Sequence, residues 1–102
     1  MNEEKKEVKM IVLDFTHVAV EQNIGEWTDK DLSKVVGNAI HKQAGDIGLD
    51  DVARKIYYEG KAEVNEGMAR IIKAIIEGSG FALYACQAIL KTIDEAVNKE
   101  NV

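Results

Sequence analysis

Two imidazoles and one thiol are the side chains here best suited to nucleophilic, general-base or soft metal-ligand chemistry. His17 and His41 lie far apart in sequence and neither has companion ligands at metal-like spacing, although Asp14 and Glu21 are near His17. No H-E-x-x-H or paired-cysteine motif occurs, so the convergent constellation that catalysis or zinc binding needs is not legible. Cys86 falls among Ala82, Ala85, Ile89 and Leu90 at helical spacing, an apolar stripe rather than the cationic setting that activates a thiol. Glu77-Gly78-Ser79-Gly80-Phe81 has the glycines of a phosphate loop without its lysine, its spacing or a preceding strand. Asp50-Asp51 and Asp94-Glu95 are consecutive, so on helices their carboxylates diverge instead of meeting on a cation. The residues read as those of a non-enzyme with no metal and no cofactor.

Nucleic acid is the next partner to test. Eighteen acidic and thirteen basic side chains leave a formal net charge of −5, which gives no electrostatic reason to approach a phosphate backbone or an anionic membrane. The densest basic group, Lys5, Lys6 and Lys9, is interleaved with Glu3, Glu4 and Glu7 and cancels locally. Leu49 to Ile56 looks like the first helix of a helix-turn-helix, but Tyr57 stands where the turn glycine belongs and Gly60 comes too late. A DNA-associated transcriptional regulator, the alternative reading, would have to use Arg54, Lys55, Arg70 and Lys73.

Elements must position whatever the surface does, and 102 residues allow one domain, 1–102, with flexible ends at 1–7 and 98–102. Apolar residues at 46% suffice for one modest core. Val8 to Phe15 is rich in β-branched and apolar residues and predicts a strand; Val18 to Glu21 continues it or pairs with it, before a turn at Asn23 to Glu26. From Thr28 the period changes to that of a helix, with Leu32, Val35, Val36, Ala39, Ile40 and Ala44 on one face. Thr28 is the expected cap, Asp31 its capping-box partner, Trp27 and Leu32 a hydrophobic staple, and Gly45 a left-handed stop.

A second helix is expected over 49–59, closed by Gly60, and then an extended link or short strand at 61–64. Asn65 caps a third helix ending at Gly78, and Ser79 a fourth carrying Ala82, Ala85, Cys86, Ile89, Leu90, Ile93 and Val97. No proline occurs, so glycines make the joints. The fold class is α+β and mainly helical: an N-terminal β-hairpin or bent strand followed by four short helices.

The lone cysteine fits a reducing compartment, and MNEEKKEVKM lacks the apolar centre of a secretory signal. No apolar run approaches the roughly eighteen residues that span a bilayer. The expected setting is the cytoplasm, with no membrane partner.

Surface aromatics remain. Phe81 and Tyr84 line a second side of the fourth helix, Tyr57 and Tyr58 point to different sides of the second, and Trp27 sits at a helix entrance. Aromatic residues are enriched at protein–protein interfaces, and a two-stranded hairpin leaves an edge open to another chain. Trp27, Tyr58, Phe81 and Tyr84 are therefore the candidate interaction surface, and the partner is a second copy or another protein.

Leu32-Ser33-Lys34-Val35-Val36-Gly37-Asn38-Ala39-Ile40, Asp51-Val52-Ala53-Arg54-Lys55-Ile56-Tyr57 and Gly60-Lys61-Ala62-Glu63-Val64 resemble stretches of small proteins encoded by bacterial prophages and related mobile elements. In those proteins a short N-terminal β segment also precedes similar helices. The resemblance includes no catalytic motif and transfers no functional residues; it implies a phage accessory or assembly protein. The functional expectation is a small, non-enzymatic protein–protein interaction module.

Overall fold

The computed structural model describes residues 10–100. Its elements run β1 (Ile11–Asp14), β2 (Val18–Asn23), β3 (Glu26–Lys30), α1 (Ser33–Gln43), α2 (Ile47–Glu59), β4 (Lys61–Val64), α3 (Glu66–Glu77) and α4 (Leu83–Glu100). The expected α+β class holds, with the strands in two small antiparallel sheets, β1–β4 and β2–β3. Residues 1–7 lie outside the described residues, and α4 continues through Glu100, so positions 98–100 of the expected flexible end are helical.

β1 and β2 are two halves of one bent path that pair with different partners. β1 takes β4, with Ile11 opposite Val64 and Leu13 opposite Ala62; all four side chains are buried. The segment 61–64 is therefore a strand, held by a pairing almost fifty residues distant that no local pattern announces. β2 folds back on β3 across Ile24-Gly25, where Gly25 has a φ of 79° and open space where a Cβ would stand.

This hairpin displaces the expected start of the first helix. Thr28 lies opposite Val20 in β3, not at a helix cap, and Trp27 lies opposite Glu21, not stapled to Leu32. Residues suited to strands extend beyond the turn, and the pairing edge of β2 claims them before a helix can begin. α1 starts at Ser33, whose N–H and Oγ both donate to Asp31 Oδ1, at 3.0 and 2.5 Å. The N-cap position is Leu32, which has no side-chain cap; Asp31, one residue earlier, instead accepts from the first residue of the helix and is not the far member of a box with Thr28.

Two other helix ends differ from expectation. α1 ends on Ala44 in an extended conformation, Gly45 is not left-handed, and Asp46 caps α2 by accepting from Leu49 N at 2.8 Å. Ser79 does not cap α4. Its Oγ donates to the Ile75 carbonyl and closes α3, and the positive φ of the corner falls to Gly80, at 80°. Asn65 does cap α3, accepting from Met68 N at 2.8 Å.

The core gathers Ile11, Leu13, Phe15, Val18 and Val20 from the strands and the bend between them, and Val36, Ile40, Ile56, Ile72, Ile76, Ile89 and Ile93 from the helices. Gly37 brings α1 against α2: a Cβ there would stand 2.8 Å from the Ala53 carbonyl oxygen and 2.9 Å from Tyr57 Cβ. It is this glycine that turns inward, while Val35, expected on the buried face, is 46% exposed.

Gly60 is the expected left-handed stop, with φ 85°, and a Cβ there would lie 2.2 Å from Thr16 Cγ2. Gly60→Ala is expected to lower stability by about 1–3 kcal/mol in urea unfolding, from strained backbone and the clash together. Adding Thr16→Ser, which deletes the methyl and keeps the hydroxyl, should recover part of that loss. Unfolding of Gly60→Ala at the wild-type urea concentration would contradict this account.

Candidate functional site

The four candidate aromatics do not form one surface. Trp27, from β3, and Tyr84, from the first turn of α4, converge on one cleft of about 210 Å³ whose other walls are Ala19, Glu21, Gln87, Ala88 and Lys91. Both rings remain accessible, at 58% and 40%. Lys91 Nζ lies 5.9 Å from the centre of the Trp27 ring, within range of a cation–π attraction, and Glu21 stands opposite Trp27 on β2. The cleft therefore joins two aromatic faces with one cation and one carboxylate at its rim, a lining suited to gripping a side chain and fixing its orientation.

Phe81 is half-buried against the core and helps line a different cleft with Val35, Lys42 and Ser79. Tyr58 belongs to a third, on the α1–α2 face, and is highly exposed. Its ring meets Tyr57 edge-on, with centroids 4.9 Å apart, while Lys34 Nζ stands 4.6 Å from the Tyr57 centroid. Cys86 is partly buried, with Sγ 3.9 Å from the Ile76 carbonyl oxygen, consistent with its place on an apolar stripe.

The strand that carries Trp27 is itself unusual. Every residue of β3 is exposed, and among the described residues β2 is its only ladder partner. Charged side chains occupy Glu26, Asp29 and Lys30, which discourages indiscriminate pairing on an open edge. The sequence pattern hid this edge because Glu26 reads as the end of a turn and Thr28 as the entrance to a helix.

Each histidine acquires a carboxylate that sequence proximity did not indicate. His17 Nδ1 meets Asp29 Oδ2 at 2.9 Å, tying the approach to β2 to the far end of β3. Its hydrogen bond to Asp29, and then the charge of Asp29, raise the His17 pKa above its ordinary value. His41 Nδ1 pairs with Asp50, whose other oxygen accepts from Arg54 Nε at 2.9 Å. These two hydrogen bonds, His41 first, hold the Asp50 carboxyl below its usual range. The arrangement joins α1 to α2 at the surface. Among the described residues no group of three or more His, Cys, Asp or Glu side chains could hold a metal ion.

The four cations of the alternative reading are mostly engaged. Arg54 pairs with Asp50, Arg70 with Glu66 at 2.9 Å, and Lys73 with Asp94 at 2.6 Å, the last joining α3 to α4. Lys55 is exposed on α2. β4 lies between α2 and α3, so these helices are not joined by the tight turn of a helix-turn-helix. Among the described residues no helix is long and apolar enough to cross a membrane.

No family model, curated protein or solved structure matches this chain.

The His17–Asp29 pair makes a pH prediction with a definite sign. A raised folded-state pKa means that its contribution is present below the unfolded value, about 6.5, and fades as pH rises through the folded one. Titration of the His17 ring by NMR should give a midpoint above that of an unfolded peptide, and Asp29→Asn should lower it. A midpoint unmoved by Asp29→Asn would show that the pair does not persist in solution.

Proposed function

We propose that the protein is a small, non-enzymatic interaction module that binds protein through the Trp27–Tyr84 cleft and the neighbouring strand β3. The observation that carries this reading is the convergence of two accessible aromatic rings, from elements almost sixty residues apart, on one cleft beside an open strand edge. Aromatic anchors with a charged rim are what protein interfaces use, and an edge strand supplies backbone donors and acceptors for a second chain. Phe81 and Tyr58 lie outside this cleft and belong to the proposal only as flanking surface.

Protein is favoured over nucleic acid because Arg54, Arg70 and Lys73 already face carboxylates and the chain is acidic. A phage-derived accessory or assembly role in the cytoplasm is the cellular form of the proposal, supported by the resemblance over parts of 32–64 and by the lone thiol.

A photo-crosslinking residue placed at Trp27 or Tyr84 should yield a discrete protein adduct in extracts of the producing cells, and one placed at exposed Lys55 should not. Equal labelling from all three positions, or none from any, would overturn the assignment of the cleft. On immobilised heparin or DNA the protein should flow through at low salt; salt-dependent retention would instead favour the regulator.

A further inference from the structure

We propose that two copies of this chain pair antiparallel through β3, in a register centred on Thr28, to form a four-stranded sheet β2–β3–β3–β2 across a two-fold axis. The proposal rests on the reading of the protein as an interaction module and names its partner as a second copy.

The sequence of β3 is Glu26-Trp27-Thr28-Asp29-Lys30. In an antiparallel ladder, opposed residues must share hydrogen-bonding parity, so a symmetric pair needs position numbers that sum to an even value. Symmetric registers can therefore centre on Trp27, Thr28 or Asp29, and only the Thr28 register pairs all five residues. That register places Glu26 opposite Lys30 of the second copy, and this happens twice because the arrangement is symmetric. Thr28 meets Thr28 between these charge pairs, on the same face of the sheet. On the other face each Trp27 lies opposite the Asp29 that His17 of its own chain holds at 2.9 Å.

Opposite charges and Thr–Thr contacts both stabilise directly opposed cross-strand positions. Two of the three charges that deter pairing with an arbitrary strand, Glu26 and Lys30, thus become complementary when the strand meets itself. The five residues of β3 are exposed, so none must leave the core to make the contact. A two-stranded hairpin is marginal by itself, and doubling it to four strands offsets that weakness. The contact is narrow, which places the dimer in the weak class, with a dissociation constant on the order of 100 μM.

The test is sedimentation equilibrium of the full chain from about 10 μM to 1 mM. Wild type should rise toward the dimer mass over this range. Glu26→Lys sets two ammonium groups against each other at both charge pairs, and Lys30→Glu sets two carboxylates against each other at both. Each variant alone should dissociate about tenfold more readily than wild type. In a dimer of one variant with the other, both pairs join a lysine to a glutamate, so mixing the two variants should restore association. The double variant Glu26→Lys/Lys30→Glu exchanges the charges within each strand, restores opposite charges at both pairs and should associate as wild type does. Simple misfolding of either single variant would not be repaired by adding the second substitution. A wild-type monomer at 1 mM, association unchanged in both single variants, or a double variant no better than the singles would overturn the pairing. In any of these cases a discrete adduct of another protein at Trp27 or Tyr84 would still support the module itself.

Discussion

The fold turns on one buried residue, Phe15. Its N–H donates to the Gly60 carbonyl, where α2 gives way to β4, and its own carbonyl accepts from Leu32 N, where β3 gives way to α1, each at 2.9 Å. Phe15 is fully buried, and it stands where the path changes from pairing with β4 to entering the hairpin with β3. Asp14 secures the same bend by accepting from both the N–H and the hydroxyl of Thr16, at 2.9 and 2.5 Å. These bonds to Thr16 also hold the Asp14 carboxyl below its ordinary range. Three changes of direction thus meet within a few residues, and Gly60 fits there because it offers no Cβ to Thr16.

Neither small sheet could persist alone. β1 and β4 bury Ile11, Leu13, Ala62 and Val64 on one face, and β2 buries Val18 and Val20; these residues share one core with Ile56, Ile72, Ile76, Ile89 and Ile93 of the helices. Helix α4 packs beside both β1 and β2 and so bridges the sheets. The amphipathic helices supply most of the apolar cover, while the strands determine where the helices begin and end. Ion pairs such as Lys73–Asp94 and Arg70–Glu66 decorate this framework; exposed pairs contribute little to stability.

Local chemistry made much of this legible. Asn65 as a cap, Gly60 as a left-handed stop and the spacing of Ile72 and Ile76 each act within one or two turns of chain, so their meaning survives in sequence. What was not legible depends on partners far along the chain. Thr28 has the side chain of a good cap, yet Val20 across the hairpin claims it for a strand. Lys61 to Val64 is too short to declare itself, and β1 makes it a strand. For the candidate site, sequence singled out Trp27 and Tyr84 by type but could not place them together, nor assemble Lys91 and Glu21 around them. Distance along the chain likewise separates His17 from Asp29 and His41 from Asp50.

β3 is a passenger on the architecture. All five of its residues are exposed, and Trp27 aside they are polar or charged. The core does not constrain them, whereas a change at Phe15, Gly37 or Gly60 would disturb several elements at once. Mutational tolerance is therefore uneven along the chain: a tightly constrained interior carries a ribbon that can vary almost independently. Selection acting on that ribbon could alter what the molecule presents to its surroundings while the fold beneath stayed the same.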